Sequence, residues 1–320
     1  MAKPIVAVDL GGTNVRFALV SSGGKVLARR QRRTDGHEGP ARALERILDG
    51  IAAVIEEASR GAAGIGIGAP GPVDARRGIL LTSPNMPGWR NVRLKAAVEK
   101  RFGLPCTVAN DANCAGLGEH WVGAGKGVAN MLHYTLGTGI GGAAIVDGRL
   151  LEGAELLGGE LGHVTIVPDG LVCGCGNRGC VEAYVSATGI VARTKARLTQ
   201  GAPSSLRRHA DALTPRAVQE AATEGDELAR EIIEETGRYL GIAVASMVNV
   251  FNPSVVSFSG GVARWGRMLF EPLRAEVKRR AFRALTKRVR IVRSRLGENA
   301  GVIGAARALM LALGTDPVGA

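Results

Sequence analysis

Apolar residues along this chain recur with two different periods, and the periods mark two kinds of element. Residues 5–20 contain two β-rich runs joined by a Gly-Gly-Thr turn, and a third run follows at residues 25–29. Residues 41–60 place apolar side chains three and four positions apart, which predicts a helix packed on the first sheet. The pattern therefore predicts a mixed α/β fold that opens with a hairpin.

The same two periods predict the later elements. Strands are predicted at residues 64–68, 107–109, 253–259 and 289–295. Helices are predicted at residues 112–121, 183–198, 215–224, 226–250 and 298–311. Apolar residues also recur every fourth position from Trp265 to Leu285, although we expect Pro272 to break that helix early.

The opening hairpin has a second copy. DLGGTNVRFALV at residues 9–20 aligns without gaps on TLGTGIGGAAIV at residues 135–146, and a short turn and a further run follow each copy. This indicates an internal duplication with two glycine turns. Bare N–H groups at such turns suit phosphate, and Asp9 adds a carboxylate for Mg²⁺. A single Gly-Gly-Thr turn is equally typical of an ordinary hairpin, and without a following helix it is neither a Walker A loop nor a Rossmann fingerprint.

Three of the five cysteines lie within eight residues, at Cys173, Cys175 and Cys180, with glycines between them. Such spacing favours zinc, which takes four sulfur or nitrogen ligands, and His163 is the expected fourth ligand. Four protein ligands would leave no open coordination position for water or substrate, which would make the zinc ion structural rather than catalytic. The alternatives are a Cys175–Cys180 disulfide, which leaves Cys173 unpaired, and buried inert thiols, which fit poorly with a glycine-rich stretch.

Length and composition limit the class of protein. At 320 residues we expect two lobes, and 46% hydrophobic residues with a mean hydropathy of +0.10 are ample for burial. Only 4% aromatic residues argues against nucleic-acid binding by base stacking. We find neither a signal peptide nor a segment long enough to span a bilayer, since the most apolar later run, residues 239–251, is too short. We therefore expect a soluble, cytoplasmic protein.

The net charge of +12 is concentrated in one segment. Residues 264–295 contain twelve Lys or Arg against two Glu, which is +10 of the total. A solvated helix face explains this surplus. The alternative is a surface that attracts polyanions such as ATP, polyphosphate or nucleic acid.

Several motifs resemble one known family. ELGH at residues 160–163, CGC at 173–175, GNRGC at 176–180 and the following Glu182 resemble the signature of the ROK family, which includes repressors and sugar kinases such as bacterial glucokinases. The resemblance implies an α/β fold of the two-lobed actin-like ATPase and sugar kinase class (ribonuclease H-like), with ATP in a cleft between the lobes. The first lobe is expected at residues 1–115 with 300–320. The second is expected at residues 116–299, which include the zinc knuckle, the cysteine-rich stretch at residues 173–180.

The resemblance also implies the site. The residues expected to hold the sugar are Asn85, Asn110, Asp111, Glu160, His163 and Glu182. The residues expected to contact the nucleotide are Asp9, Gly11, Gly12, Thr13, Asn14, Gly137, Thr138, Gly139, Gly260 and Gly261. Asp111 corresponds to the catalytic base, and His163, Cys173, Cys175 and Cys180 to the zinc ligands. From the residues alone, Asp111 also suits a helix N-cap, Asn85 a surface turn, and Gly260 with Gly261 a strand end.

The implied activity is phosphorylation of glucose at its 6-hydroxyl, with ATP, Mg²⁺ and a structural zinc ion. Mannose, fructose, N-acetylglucosamine and N-acetylmannosamine are alternative substrates, and polyphosphate is an alternative donor. A sugar-sensing regulator is a rival of another class; ROK repressors carry a helix-turn-helix ahead of the kinase-like part, whereas Asp9 has eight residues before it. Dimers are usual in the family, so a homodimer is expected.

Overall fold

The computed structural model describes residues 2–83 and 86–315. Its strands are β1 (Ile5–Leu10), β2 (Asn14–Val20), β3 (Val26–Arg33), β4 (Ile65–Ala69), β5 (Val73–Asp74), β6 (Ile79–Thr82), β7 (Arg90–Val92), β8 (Cys106–Asn110), β9 (Met131–Leu136), β10 (Ile140–Val146), β11 (Arg149–Leu150), β12 (Val255–Ser259) and β13 (Arg290–Arg293). Its α-helices are α1 (Pro40–Ile55), α2 (Leu94–Phe102), α3 (Asp111–Val122), α4 (Val181–Val185), α5 (Ala187–Thr199), α6 (Pro215–Thr223), α7 (Glu227–Phe251), α8 (Arg267–Arg280), α9 (Arg283–Thr286) and α10 (Ala300–Ala312).

The first sheet has the order β3-β2-β1-β4-β8. β1 runs antiparallel to β2 and parallel to β4, and β4 runs parallel to β8. Side chains alternate between the two faces of β1, so Val6 and Val8 join the core covered by α1, whereas Ile5 and Ala7 join the core covered by α3 and α10. Both faces are therefore buried, which explains why β1 and β4 have almost no polar residues.

The second sheet repeats this strand order as β11-β10-β9-β12-β13. β12 runs parallel to β9 on one side and to β13 on the other. In each sheet a hairpin is followed by a further antiparallel strand on one side, and by two later parallel strands on the other. The duplication inferred from residues 9–20 and 135–146 thus extends beyond the hairpins to the order of the strands.

The chain divides into two compact units. The first comprises residues 1–129, 143–159 and 294–320, and the second comprises residues 130–142 and 160–293. The division falls within β10 and places α10 in the first unit. The sequence-based lobes, residues 1–115 with 300–320 and residues 116–299, likewise assign the last helix to the first part of the chain.

Helices α3 and α10 meet without side chains between their backbones. A Cβ on Gly304 would lie 1.5 Å from the Cys114 carbonyl oxygen, and a Cβ on Gly118 would lie 2.5 Å from the Ala300 carbonyl oxygen. Only glycine permits this approach. The contact fixes α3, and with it the helix start at Asp111, against the closing helix.

The prediction that Pro272 breaks its helix early is wrong, because α8 continues through Pro272 to Arg280. The proline ring packs against α7 at Gly237, where a Cβ would lie 2.5 Å from the proline Cγ. The predicted stripe is buried on both sides of it, at Leu269, Leu273 and Val277. Tertiary packing therefore outweighs the one hydrogen bond that proline removes.

The sequence patterns did not predict several short elements. Strands β5, β6 and β7 form a small antiparallel sheet, and α2 follows it. The helix predicted at residues 183–198 is two helices, because Ser186 is extended and its hydroxyl accepts a hydrogen bond from Gly189 N to cap α5. No helix in the described part of the chain is long and apolar enough to cross a membrane.

Candidate active site

The first glycine turn connects β1 to β2 and is tied down through its carbonyl groups. Thr34 donates from its hydroxyl to Gly11 O at 2.7 Å and from its amide to Thr13 O at 2.9 Å. Gly36 N donates to Gly12 O at 3.3 Å. No described residue accepts a hydrogen bond from the amides of Gly12 and Thr13. The turn therefore presents two N–H donors of the kind that phosphate oxygens accept.

The second glycine turn, between β9 and β10, is held in the same way by different residues. Gly137 O accepts from Ala187 N at 2.9 Å, and Thr138 O accepts from the Thr188 hydroxyl at 2.9 Å. The amides of Thr138 and Gly139 have no acceptor among the described residues. In both copies of the duplicated turn, carbonyl groups thus accept hydrogen bonds from other residues, and two amides have no acceptor among the described residues.

A cavity of about 790 Å³ opens beside the second turn, within the second unit. Gly137, Thr138 and Gly261 line it, so the structure brings together two stretches that are more than 120 residues apart. Gly260 is not in the lining, but it has a φ of +92° and its Cβ position is 2.3 Å from the Leu136 carbonyl oxygen. A side chain at Gly260 would therefore separate β12 from the turn.

Sequence reasoning missed the other side of this cavity. That side consists of α6 and the turn before α8, and its residues are Thr214, Pro215, Arg216, Gln219, Glu220, Thr223, Glu224, Val262, Arg264 and Trp265. The sequence marked α6 only as an amphipathic helix. Its exposed polar side carries no motif that distinguishes a cavity wall from solvated surface.

Asp9 lies at the end of β1, where its carboxylate contacts Arg16 and α10. Arg16 Nη1 is 3.2 Å from Asp9 Oδ2. A Cβ on Gly301 would lie 2.8–3.0 Å from the carboxyl atoms, so the residue at position 301 must be glycine for this placement. Burial raises the pKa of Asp9, and Arg16 opposes that rise by attraction and hydrogen bonding. A divalent cation would favour the ionised carboxylate in the same manner as Arg16.

Asn110 and Asp111 occupy the junction of β8 and α3. The Asn110 side chain is the N-cap, accepting from Ala112 N at 2.9 Å and Asn113 N at 3.1 Å, and its amide donates to Gly71 O at 3.2 Å. The N-cap predicted as the alternative role of Asp111 thus belongs to Asn110. Asp111 is the first helical residue, half-buried, and its Oδ1 accepts from Ala112 N at 2.8 Å.

The cysteine cluster forms as the sequence predicts, in the second unit. The ligand atoms of His163, Cys173, Cys175 and Cys180 lie within 4.8 Å of one another. Cys175 and Cys180 have sulfurs 3.8 Å apart, a non-bonded distance, and all three thiols are free. Cys173 and Cys180 are buried, whereas Cys175 is exposed. The glycine-rich stretch was expected to bury its cysteines poorly, and among these three only Cys175 agrees with that expectation.

These distances fit a tetrahedral zinc ion. Ligands at Zn–S of about 2.3 Å and Zn–N of about 2.1 Å place sulfurs about 3.8 Å apart and sulfur and nitrogen about 3.6 Å apart. The cluster has 3.8 Å between the Cys175 and Cys180 sulfurs and 3.6 Å between Cys173 Sγ and His163 Nδ1. Burial raises the pKa of the Cys173 thiol to about 12. A bound cation would supply the positive charge that the buried thiolates need.

Three proposed sugar ligands lie around the cluster. His163 Nδ1 faces Cys173, and its Nε2 is 4.0 Å from Glu160 Oε2. Glu182 Oε2 accepts from Ile140 N at 2.7 Å, and the Cys173 thiol donates to Glu182 Oε1 at 3.5 Å. Burial raises the pKa of Glu160, and the nearby Glu182 carboxylate adds to the rise. Asn85, the remaining predicted sugar ligand outside this group and the Asn110–Asp111 pair, lies outside the described residues.

The basic segment, residues 264–295, covers α8, α9 and β13. Its Lys and Arg side chains are exposed, and Arg279 and Arg280 are both paired with the buried Glu276. A second cavity, of about 380 Å³, lies between these elements. Its residues are Arg274, Val277, Lys278, Thr286, Lys287, Val289 and Ile291, so it combines an apolar wall with cations and has no carboxylate.

The duplicated sheets and paired glycine turns define a class, the actin-like ATPases and sugar kinases, as the fold prediction expects. Within that class the family is also established, because the ROK family model matches residues 5–312. The chain belongs to the ROK family.

Characterised relatives cover nearly all of the chain. It is 39% identical over 305 residues to a glucokinase of Thermotoga maritima, covering 94% of this chain and 96% of that protein. The crystal structure of a ROK hexokinase from Thermus thermophilus superposes with a TM-score of 0.83 at 33% identity, covering 98% of this chain and 99% of that one. A ROK glucokinase from Streptomyces griseus, crystallised with glucose and AMPPNP, has a TM-score of 0.78 at 35% identity, covering 95% of this chain and 98% of that one.

Proposed function

We propose that this protein transfers the γ-phosphoryl group of ATP to the 6-hydroxyl of glucose. The observation that carries the proposal is the pair of glycine turns, each with bound carbonyls and available amides, in a chain 39% identical to a glucokinase. The glucose and AMPPNP in the Streptomyces griseus relative support the same pair of substrates.

Asp111 is the proposed catalytic base. The 6-hydroxyl oxygen would form a bond to the γ-phosphorus as the bond to ADP breaks, and the hydroxyl proton would pass to the Asp111 carboxylate. Phosphoryl transfer has a loose transition state, so alignment and charge neutralisation contribute more than base strength. The amides of Gly12, Thr13, Thr138 and Gly139 would hold phosphate oxygens. Mg²⁺, which the Asp9 carboxylate suits, would neutralise the phosphates when bound.

The nucleoside is proposed to occupy the cavity of about 790 Å³ beside the second turn. Its volume lies within the range of nucleotide and ligand pockets in general. Gly261 and the apolar Val262 and Trp265 would contact the base, and Gly260 keeps β12 close to the turn.

The sugar hydroxyls are proposed to contact Asn85, Asn110, Glu160, His163 and Glu182. Asn110 retains one amide hydrogen for this purpose, since its oxygen already accepts two hydrogen bonds and its amide already donates one. With Nδ1 on zinc, His163 would direct Nε2 towards the sugar. The zinc ion is thus proposed to have a structural role, holding a sugar ligand in one tautomer and orientation.

The decisive experiment is a coupled assay of ADP formation over a panel of hexoses. We expect the highest kcat/KM with glucose, and hexose 6-phosphate as the product by NMR. Higher efficiency with mannose, fructose, N-acetylglucosamine or N-acetylmannosamine would replace glucose but keep the kinase mechanism. Sugar binding without turnover would instead favour a sugar-sensing regulator. Light scattering on the same preparation tests the homodimer that we also propose.

The second cavity favours a further candidate, polyphosphate as phosphoryl donor or ligand. Lys278 and Lys287 line it and have no carboxylate partner among the described residues. A cationic cavity without acidic groups attracts polyanions strongly at low salt. Combining Lys278→Glu with Lys287→Glu should abolish polyphosphate binding and leave ATP use intact. The matched control reverses two exposed charges in the first unit, Lys25 and Arg76. Failure of the native protein to bind or use polyphosphate would exclude this candidate.

A further inference from the structure

The segment that follows the last cluster cysteine holds the second glycine turn. Residues 182–188, which we call the clamp segment, form hydrogen bonds with three residues of the turn region. Ala187 N donates to Gly137 O at 2.9 Å, and the Thr188 hydroxyl donates to Thr138 O at 2.9 Å. Glu182 Oε2 accepts from Ile140 N at 2.7 Å.

The turn has little internal support of its own. Gly137 N donates to Gly139 O at 3.0 Å, and two of its three tip residues are glycine, which loses the most backbone freedom on ordering. Its position therefore depends on the clamp segment. The clamp segment has hydrogen bonds of its own, because Ser186 caps α5 and also hydrogen bonds to the Thr188 hydroxyl at 2.9 Å.

The clamp segment is also connected to the cysteine cluster. Cys180 directly precedes α4, and Val181 N donates to Val164 O at 3.0 Å, next to His163. The Cys173 thiol reaches Glu182 Oε1 at 3.5 Å. At most eight residues of chain, from Cys180 to Thr188, thus separate the cluster from the residues that hold the second turn.

We propose that the clamp segment couples metal binding at the cluster to nucleotide binding at the second turn. Thr188 and Glu182 are the positioning residues of this coupling. The inference rests on the proposed function, since it takes the second turn as a nucleotide contact. A coupling between two ligands is reciprocal. Zinc should tighten nucleotide binding, and nucleotide should tighten zinc binding by the same factor.

Two titrations measure this coupling in the full-length protein. Calorimetry gives the Kd of AMPPNP for zinc-loaded and zinc-depleted protein. Competition with a chromophoric chelator gives the Kd of zinc with and without AMPPNP. We expect both ratios to agree and to be about fivefold or more, the lower end of typical coupling. Equal AMPPNP affinity in folded protein with and without zinc would overturn the inference.

Thr188→Val tests the coupling without removing the metal. The substitution keeps the shape of the side chain and every cluster ligand, but removes the donor to Thr138 O. We expect full zinc content, an AMPPNP Kd about fivefold higher, as one lost hydrogen bond costs, and a smaller coupling factor. Thr188→Ser should restore both values.

Thr199→Val is the matched control. Thr199 lies at the other end of α5, and its hydroxyl donates to Lys195 O at 3.0 Å, away from the turn. It should leave AMPPNP and zinc affinity unchanged. If Thr188→Val behaves like Thr199→Val, the clamp segment does not position the turn. If the native protein binds no AMPPNP at all, the proposed function itself fails.

Discussion

The two glycine turns are copies of one hairpin, yet they are supported differently. Gly11, Gly12 and Thr13 are bound by residues 34–36, which follow β3 in the same sheet. Gly137 and Thr138 are bound by the clamp segment, which comes after the cysteine cluster. The first turn is thus supported by the continuation of its own hairpin, whereas the second turn is supported by a segment that directly follows the cysteine cluster.

The difference has a physical basis in how the copies continue. β3 is long, residues 26–33, so the chain can return alongside the first turn. β11, the counterpart of β3 in the second sheet, has two residues, and the chain that follows it contains the cysteine cluster. Within the described residues, the stretch around the cysteine cluster has no strand beside the second turn, and the proposed zinc ion would supply the ordering that a longer strand gives the first copy. We therefore expect metal dependence to be confined to the second turn and to the proposed sugar ligands His163 and Glu182.

The largest effect should come from Asp111→Asn. The substitution removes the negative charge of the proposed catalytic base and leaves the residues of both glycine turns unchanged. The asparagine oxygen can still accept from Ala112 N, and Asn110 still caps α3. We expect kcat to fall about 10²- to 10⁴-fold, as loss of general base catalysis does. AMPPNP affinity, zinc content and thermal stability should stay near native values.

Steady-state kinetics, metal analysis and thermal melts on the same sample check this prediction. Asp49→Asn, on the exposed side of α1, is the control for loss of a carboxylate. If Asp111→Asn retains most of the kcat, the assignment of the base is wrong.

The next effect tests whether the proposed sugar ligands depend on the metal. Cys175→Ala removes one cluster ligand, and we expect loss of the metal together with glucose affinity weakened tenfold or more, since each lost hydrogen bond costs about fivefold. His163 and Glu182 lose their placement, whereas Thr34 and its contacts are unaffected. Metal analysis and glucose titration measure both losses. Cys106→Ala, a buried cysteine of β8 in the first unit, should keep the metal.

The sequence predicted the features that depend on strong local signals. Cysteine spacing identified the cluster, and the repeated hairpin identified both turns, because each requires particular residues at fixed positions. The buried runs gave β1, β4 and β12 within two residues of their observed bounds. The two cysteines outside this spaced group, Cys106 and Cys114, are buried core residues.

Features that depend on contacts between distant residues were not predictable. Nothing in residues 182–188 indicates that Thr188 donates to Thr138, fifty residues earlier. Pro272 was misjudged because its packing partner, Gly237, lies on another helix. The α6 wall of the cavity beside the second turn has ordinary polar residues, whose role depends on which surface they face. Local propensity cannot report such long-range relations.

Thr34→Val would weaken the first turn without involving the metal. Thr34 is fully buried, and its hydroxyl is 2.7 Å from Gly11 O, so the substitution leaves that carbonyl without this donor. An unsatisfied buried group costs about 1–3 kcal/mol. We expect a higher KM for ATP and a lower Tm, with zinc content and zinc affinity unchanged. Thr34→Ser retains the hydroxyl and should restore most of the KM. Loss of zinc in Thr34→Val would show that the two supports are not independent.

The smallest effect compares aligned glycines, Gly11 and Gly137. A Cβ on Gly11 would lie 2.8 Å from Asn14 O, whereas on Gly137 the nearest atom, Gly139 O, is 3.9 Å away. Gly11→Ala must therefore displace the backbone of its turn, at a typical overpacking cost of about 1–3 kcal/mol. Gly137→Ala should change the free energy of unfolding by less than about 0.5 kcal/mol. Urea denaturation of both variants measures this, and equal destabilisation would mean that the two copies are equally tight and differ only in what holds them.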